Sequence, residues 1–241
     1  MHSIIRTGII LGSGLSKFAD ELRNPEIISI EDKGVHKISA VTGKIENKDV
    51  LIFSGRKHFY EGYPPEEVIE SVRLASEMGV RLLVITNAAG GINSSLRVSD
   101  LMLIHSHYNF YNKRFPVKGE HELFRHHLIK KLIDITSENK LLLKTGNYCC
   151  TYGPMYETRS EIRMLGKYKI DAVGMSTVPE ITYAAEKGIP VIGISCITNL
   201  LRENSSLKTN HDEVLKAGKK SYKNFSKLLK LIINNSDLLT E

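Results

Sequence analysis

Tryptophan is absent from the 241-residue sequence, cysteine occurs three times and proline seven times, and long hydrophobic runs are missing. Two of the cysteines, Cys149 and Cys150, are adjacent, so we expect reduced packing residues and neither a disulfide framework nor a metal site. No apolar stretch reaches the roughly 18 residues that a membrane helix needs, and the N-terminus lacks the pattern of a signal peptide. These absences predict a soluble, cytoplasmic protein with no membrane partner.

Internal boundaries are also lacking. The chain contains no Pro/Ser/Gly-rich linker, no repeat and no low-complexity run. Its length is sufficient for one large core. We therefore expect residues 1–241 to form one domain.

The net charge of +6 raises the question of a nucleic-acid partner. The excess lysines concentrate in the last predicted helix, at Lys216, Lys219, Lys220, Lys223, Lys227 and Lys230. A basic helix face without interleaved aromatic residues is more often a solvated surface than a nucleic-acid site. We expect no nucleic-acid partner, and a small anionic substrate agrees better with the motifs described below.

The first glycine-rich turn follows a strand-like apolar run at residues 4–11 and precedes a helical pattern at residues 15–19. Gly12 and Gly14 allow positive φ and close approach of a ligand, while Ser13 between them offers a hydroxyl and an N–H group. The turn lacks the third glycine of a dinucleotide fingerprint and the lysine of a P-loop, which argues against NAD and ATP. An ordinary tight turn remains an alternative.

Residues 49–60 predict a strand that carries three polar side chains in phase. In an extended segment Arg56, His58 and Tyr60 point to one face, whereas Lys57 and Phe59 point to the other. An arginine binds an oxyanion with two N–H groups, and a histidine can add a further donor. This face is therefore a candidate anion site.

Several further predicted strands end in small or polar residues. The apolar run 81–86 is followed by Asn87-Ala88-Ala89-Gly90-Gly91, where a flat or anionic ligand could lie against the backbone. The strand predicted for 170–175 ends at Ser176 or Thr177, either of which can cap a helix with Glu180 as the capping-box partner. Such a helix start favours an anion. The strand predicted for 190–194 is followed by Asn199.

Strands alternate with helices along the whole chain, which predicts an α/β fold whose loops meet at one site. The predicted helices cover residues 65–79, 126–138, 158–165, 181–187 and about 210–234, a further strand covers about 141–150, and 105–127 is expected to be mostly loop. No single motif is decisive, and the prediction rests on their agreement.

Seven motifs together resemble those of the trimeric purine nucleoside phosphorylases, in order and over nearly the whole chain. They are GSGL (12–15), GRKHFYEGYP (55–64), NAAGGIN (87–93), GPMYET (153–158), GMSTVPE (174–180), ITN (197–199) and NHDEV (210–214). The resemblance implies a single-domain α/β fold around a distorted mixed β-barrel flanked by helices, assembled as a homotrimer. It also implies phosphate-dependent cleavage of purine ribonucleosides and deoxyribonucleosides to the base and α-(deoxy)ribose 1-phosphate in purine salvage. Phosphate is then a substrate, and no metal or organic cofactor takes part.

The resemblance assigns the residues to three subsites. Phosphate would be bound by Ser13, Arg56, His58, the backbone of Ala88 and Ser176; ribose by Tyr60, Met175 and His211; and the base by Ala89, Tyr156, Glu157, Val173 and Asn199. The catalytic residues would be Asn199 and Glu157, which stabilise the departing purine, together with His58. Asn199 indicates a 6-oxopurine such as inosine or guanosine, because the related methylthioadenosine phosphorylases have an aspartate there for a 6-amino group.

The sequence also departs from the family pattern. Tyr156 replaces the usual phenylalanine, and residues 31–48 are shortened, which leaves His36 as the candidate equivalent of the family's loop histidine. In 105–127 the aromatic residue that would reach a neighbouring subunit is either Phe115 or Phe124. The alternatives are a methylthioadenosine-type enzyme and a non-catalytic nucleoside- or RNA-binding homologue. A hydrolase is disfavoured, because no Asp or Glu pair is placed to activate water.

Overall fold

A computed structural model describes residues 5–31, 38–110, 117–118, 124–203 and 211–240, and within these ranges ten strands form one mixed sheet. The strands are β1 (Thr7–Leu11), β2 (Arg23–Glu31), β3 (Ile38–Ile45), β4 (Lys48–Ser54), β5 (Leu82–Gly91), β6 (Leu101–Asn109), β7 (Val117–Lys118), β8 (Lys144–Cys150), β9 (Ala172–Gly174) and β10 (Val191–Leu200). The helices are α1 (Pro65–Val68), α2 (Glu70–Glu77), α3 (His126–Glu138), α4 (Arg159–Lys167), α5 (Val178–Glu186), α6 (His211–Asn234) and α7 (Ser236–Thr240).

Five of the strands close into a small barrel. The sheet runs in the order β10-β6-β8-β9-β5-β1-β4-β3-β2, and β10 also pairs with β5, which closes the ring of β5, β10, β6, β8 and β9. Parallel pairs such as β5–β10 and antiparallel pairs such as β6–β10 both occur in the ring. The predicted α/β fold with a mixed barrel flanked by helices is confirmed.

Helices cover both faces of the sheet because each presents an apolar stripe at helical spacing. On one face α6 buries Phe225, Leu229 and Ile232 against β-strand residues such as Ile9. On the other face α2 and α5 bury residues including Val72, Ala75, Ile181 and Ala184. Each fully buried Leu, Ile or Phe side chain contributes about 1.5–3 kcal/mol. These two layers hold the strand ends at fixed positions.

The barrel changes several predicted strand bounds. β5 continues through Ala88 to Gly91, and β10 continues to Leu200, because the two strands pair along this length with Cys196 opposite Ala88 and Asn199 opposite Gly90. The small residues after Thr86 therefore form strand and not loop. β6 also extends to Asn109, within a segment that we expected to be mostly loop.

Local contacts changed other predictions. β4 ends at Ser54 and the chain turns at Gly55, which has φ 80°, so residues 55–60 do not continue the strand. The helix predicted at 15–19 is a 3₁₀ helix at Ser16–Glu21, and the helix predicted at 65–79 is interrupted at Ile69. Helix α5 starts at Val178 after the Thr177 cap, as the capping-box pattern predicted, although the apolar helical pattern was placed only at 181–187. Helix α3 has the predicted bounds.

Candidate active site

One cavity lies where β1, β5, β9 and β10 end. Its volume is about 130 Å³. It is lined by Ser13, Arg56, His58, Tyr60, Ala88, Ala89, Gly90, Tyr156, Glu157, Val173, Gly174, Met175, Ser176, Thr198, Asn199 and Val214. Every residue that the sequence assigned to the three subsites is in this set except His211, whose side chain lies outside the described part of the structure. The structure therefore brings these strand ends together at one cavity.

The turn at Ser13 lies tightly between β5 and α6. The Gly12 N–H donates to Thr86 Oγ1 at 3.0 Å, and a Cβ on Gly12 would be 2.6 Å from Asn87 Cα. On the other side, a Cβ on Gly218 of α6 would be 2.8 Å from the Gly14 carbonyl oxygen. Glycine is therefore required for close backbone approach on both sides of Ser13.

Arg56 is the buried cation of the site. Its Nε donates to Glu180 Oε1 at 3.1 Å, and its Nη1 donates to the Thr86 carbonyl at 2.9 Å and to Ser176 Oγ at 3.2 Å. Its Nη2 is buried and has no hydrogen-bond partner among the residues that the structure describes. A buried Nη2 group without a partner, next to a serine hydroxyl, is suited to binding an oxyanion.

His58 and Tyr60 reach the cavity although the predicted extended strand was wrong. Tyr60 lies in a 3₁₀ turn at Phe59–Glu61, and its ring stacks on His58 with centroids 4.8 Å apart. Burial, reinforced by the charge of Glu61, raises the pKa of Tyr60 to about 12, so the phenol stays protonated. Lys57 lies on the opposite side, as predicted, with Nζ 2.9 Å from Glu67 Oε2.

The segment between β9 and α5 presents Ser176 at a helix start. Thr177 is the N-cap of α5, and its N–H donates to Glu180 Oε2 at 2.8 Å, as the predicted capping box requires. Asn87 Nδ2 donates to Thr177 Oγ1 at 2.9 Å. The positive end of the helix dipole therefore lies beside the Arg56 guanidinium, and both favour an anion.

A carboxyl group, Glu157, and an amide, Asn199, also line the cavity. Burial raises the pKa of Glu157, and the Thr151 hydroxyl lies 3.5 Å from its Oε1. The Thr198 hydroxyl donates to Asn199 Oδ1 at 3.1 Å, which orients the amide. Tyr156 is 40% exposed, and burial together with the charge of Glu157 raises the pKa of its phenol.

Met175 and Val214 of α6 complete the lining of the cavity. A Cβ on Gly153 would lie 2.6 Å from Met175 Sδ and 3.0 Å from Tyr60 Cδ1, so glycine lets both side chains approach. His211 is the first residue of α6, whose Val214 lines the cavity. The helix thus brings His211 to this region of the fold.

Sequence inspection missed two kinds of residue. Thr198 and Val214 line the cavity, and adjacency to Asn199 was a signal that could have identified Thr198. The second kind lies behind the lining: Tyr148 and Cys150 contact the Ser176 carbonyl from β8. No sequence motif identifies Tyr148 and Cys150, because their segment has the pattern of an ordinary buried strand.

The two aromatic candidates in 105–127 and His36 have different outcomes. Phe124 is buried and packs edge-on against His107 of the same chain with ring centroids 5.6 Å apart, so it does not extend toward a neighbour. His36 and Phe115 lie outside the described residues. Within the described ranges, no group of three His, Cys, Asp or Glu side chains could hold a metal ion. None of the helices in those ranges is long and apolar enough to cross a membrane.

Comparison with known proteins gives consistent matches over nearly the whole chain. The family described as "Phosphorylase superfamily" matches residues 6–234. The "Purine nucleoside phosphorylase 1" of Bacillus subtilis is 38% identical over 95% of this chain and 91% of its own length. The Schistosoma mansoni purine nucleoside phosphorylase in complex with inosine is 30% identical with a TM-score of 0.85, covering 97% of this chain and 91% of that one. Its complex with adenosine is 31% identical with a TM-score of 0.85, covering 95% and 90%.

Proposed function

The chain belongs to the phosphorylase superfamily and, within it, to the purine nucleoside phosphorylases, and on that premise we propose that it cleaves 6-oxopurine nucleosides with inorganic phosphate. The substrates are inosine, guanosine and their deoxyribonucleosides, and the products are the free base and α-(deoxy)ribose 1-phosphate. The setting is purine salvage in the cytoplasm. The observation that carries the proposal is one cavity lined both by a buried cation, Arg56, and by the Glu157 carboxyl group and the Asn199 amide.

The phosphate occupies the end formed by Arg56, Ser176 and Ser13, with His58 and the backbone of Ala88 as further donors. Support comes from the Arg56 Nη2 group, which is buried and has no partner among the described residues. A phosphate oxygen would satisfy it with a charge-assisted hydrogen bond. The α5 N-terminus adds its positive partial charge to the same subsite.

The ribose lies between the two ends, against Tyr60, Met175 and His211. Tyr60 remains protonated because its pKa is raised, so it can donate a hydrogen bond to a sugar oxygen. Met175 supplies an apolar surface under the sugar. We assign His211 to the 5′-hydroxyl.

The purine lies at the other end, between Ala89 and Val173, with Tyr156 against base and sugar. Glu157 accepts from N1–H, and the Asn199 amide hydrogen-bonds O6 and N7. The Thr198 hydroxyl supports this assignment because it donates to Asn199 Oδ1 and thereby turns the amide nitrogen away from Thr198. An N–H donor beside position 6 pairs with an oxo group and not with an amino group.

The reaction follows from this division of the cavity. Glycosidic cleavage passes through an oxocarbenium-like transition state, so the enzyme must stabilise negative charge on the departing purine and hold the phosphate below C1′. Asn199 and Glu157 meet the first requirement, while Arg56, His58 and Ser176 meet the second. Phosphate attacks C1′ directly as the bond to N9 breaks, which predicts inversion at C1′ and no covalent enzyme intermediate.

A second candidate function is the phosphorolysis of 6-aminopurine nucleosides such as methylthioadenosine. The adenosine complex of the Schistosoma mansoni relative is the observation in its favour. Asn199 argues against it, since an aspartate would accept from an amino group where an amide donates. Comparing kcat/KM for inosine and adenosine separates the two hypotheses, and a higher value for adenosine would contradict the 6-oxopurine assignment.

The decisive experiment measures hypoxanthine release from inosine with and without inorganic phosphate. We expect release that depends on phosphate, with ribose 1-phosphate formed in equal amount. Absence of release under both conditions would favour a non-catalytic binding protein. Release without phosphate would identify a hydrolase.

A further inference from the structure

The peptide that joins Ser176 to Thr177 is held in an uncommon backbone conformation. Thr177 has φ 83° and ψ −45°, although a β-branched residue rarely adopts positive φ. Such a conformation persists only where the surrounding contacts impose it. The contacts of this peptide therefore bear on the geometry of Ser176.

Two buried side chains hold the carbonyl edge of the peptide. The Tyr148 hydroxyl donates to the Ser176 carbonyl oxygen at 3.1 Å, and the Cys150 thiol donates to the same oxygen at 2.9 Å. Both side chains are fully buried and, two residues apart on β8, point to the same face. Neither lines the cavity.

The amide edge is held by a carboxylate that also holds Arg56. The Thr177 N–H donates to Glu180 Oε2 at 2.8 Å, and Arg56 Nε donates to Glu180 Oε1 at 3.1 Å. Because a peptide unit is planar, fixing its carbonyl and its N–H on opposite edges fixes its orientation. The Ser176 hydroxyl, 3.2 Å from Arg56 Nη1, is thereby set relative to the guanidinium.

Gly174 makes room for the tyrosine. β8 and β9 pair in parallel, with Cys150 opposite Gly174, and a Cβ on Gly174 would be 2.5 Å from the Tyr148 hydroxyl oxygen. Any other residue at this position would displace the hydroxyl from its path to Ser176. Gly174 of the GMSTVPE motif thus leaves the space that the Tyr148 hydroxyl occupies, although Tyr148 lies outside the motif.

We propose that Tyr148 is a positioning residue of the phosphate subsite, which acts by fixing the Ser176–Thr177 peptide and, through it, the Ser176 hydroxyl beside Arg56. Cys150 assists with the weaker donor, since a thiol is a poor hydrogen-bond donor. Burial raises the pKa of Tyr148 well above its usual range, so the hydroxyl keeps its proton. The inference rests on the proposed function, which assigns this subsite to phosphate.

The test is Tyr148→Phe, measured as the KM for phosphate at saturating inosine and the KM for inosine at saturating phosphate. Loss of one neutral hydrogen bond predicts an increase of about 2- to 10-fold in the phosphate KM, with little change in the inosine KM. Tyr222→Phe is the matched control, because the Tyr222 hydroxyl bonds to Glu21 away from the cavity. This control is expected to leave the ratio of the two KM values unchanged.

A double-mutant cycle separates positioning from a general structural effect. If Tyr148 acts through Ser176, Tyr148→Phe should have little further effect on the phosphate KM in a Ser176→Ala background. Additive effects, or an unchanged ratio of KM values in folded Tyr148→Phe, would overturn the inference. If that variant does not fold, Cys150→Ala replaces it, with a smaller increase expected in the phosphate KM and the same criterion. Failure of the wild-type protein to use phosphate would instead contradict the proposed function.

Discussion

Under the proposed function, Asn199 is the residue on which we expect substrate choice to depend most. It follows Thr198 near the end of β10, and the pairing of β10 with β5 places it opposite Gly90. A Cβ on Gly90 would lie 2.8 Å from Leu201 Cδ1 and 3.3 Å from Asn199 Nδ2. The glycine therefore leaves space for the amide at the base end of the cavity. The Thr198 hydroxyl donates to Asn199 Oδ1 and so leaves the Asn199 Nδ2 group to contact the ligand.

Asn199→Ala is predicted to lower kcat/KM for inosine by at least about 10²-fold, because it removes a donor that stabilises charge on the departing purine. The measurement is initial-rate kinetics with inosine and phosphate. Asn93→Ala is a suitable control, because Asn93 donates to Asp171 and does not line the cavity. A nearly unchanged rate for Asn199→Ala would mean that the base binds elsewhere.

His107 is a buried histidine whose Nδ1 has no hydrogen-bond partner among the described residues. Burial lowers its pKa from 6.5 to about 4, so the folded protein favours the neutral ring while the unfolded chain takes up a proton at higher pH. The free energy of unfolding therefore includes the full benefit of the neutral ring above about pH 6.5. It falls by roughly 3 kcal/mol as the pH drops from there to about 4, because the unfolded chain takes up the proton first.

His107→Leu is predicted to flatten this dependence, because leucine neither titrates nor leaves a buried polar atom unpaired. The measurement is the free energy of unfolding in urea between pH 7 and pH 4.5 for both proteins. The wild-type value should fall more steeply than that of the variant. Parallel curves would show that His107 does not carry the effect.

The turn that carries Ser13 depends on its contact with β5. A Cβ on Gly12 would lie within 2.8 Å of backbone atoms of Thr86 and Asn87, so neither side can yield by a rotamer change. The prediction is that Gly12→Ala destabilises the fold by about 1–3 kcal/mol through overpacking and raises the KM for phosphate, because Ser13 is displaced.

Gly166→Ala in α4 is the matched control for Gly12→Ala. Apart from the backbone of its own helix and its chain neighbours, no atom of the described residues lies within 4 Å of a Cβ at Gly166. Alanine is favoured over glycine inside a helix by about 0.5–1 kcal/mol. The control should therefore be neutral or stabilising in urea unfolding, with unchanged kinetics. Equal effects of the two substitutions would contradict the proposed role of the Gly12 contact.

The surface around residues 152–168 exposes several large apolar side chains. They are Tyr152, Met155, Tyr156, Met164 and Tyr168, with Met155 81% exposed. Exposed apolar side chains near a binding site are typical of surfaces that contact another subunit. This exposure agrees with the homotrimer that the resemblance implies.

The homotrimer predicts a solution mass of about three times the 27.1 kDa of the chain. The measurement is size-exclusion chromatography with light scattering, with and without phosphate. A single species of 27.1 kDa would contradict the assembly while leaving the phosphorylase assignment intact.

Much of the fold and of the candidate site could be predicted from local patterns. Strand and helix alternation indicated the α/β class, and the capping box of Thr177 and Glu180 was visible in the sequence and is present in the structure. Arg56, His58 and Tyr60 line one cavity, as the sequence grouped them, but the predicted reason was wrong, because the strand ends at Ser54. A turn at Gly55 brings them together instead.

Local sequence was enough to identify the motifs, because capping, turn chemistry and hydrophobic period depend on residues close together in the chain. It also determined the residues of GMSTVPE, in which Ser176 was expected to meet an anion. Only the tertiary structure decided that β5 and β10 close a barrel, and that Tyr148 and Cys150 hold the Ser176 carbonyl from a neighbouring strand. These contacts join residues 26 or more positions apart, and strand pairing brings them together only when the whole sheet has formed.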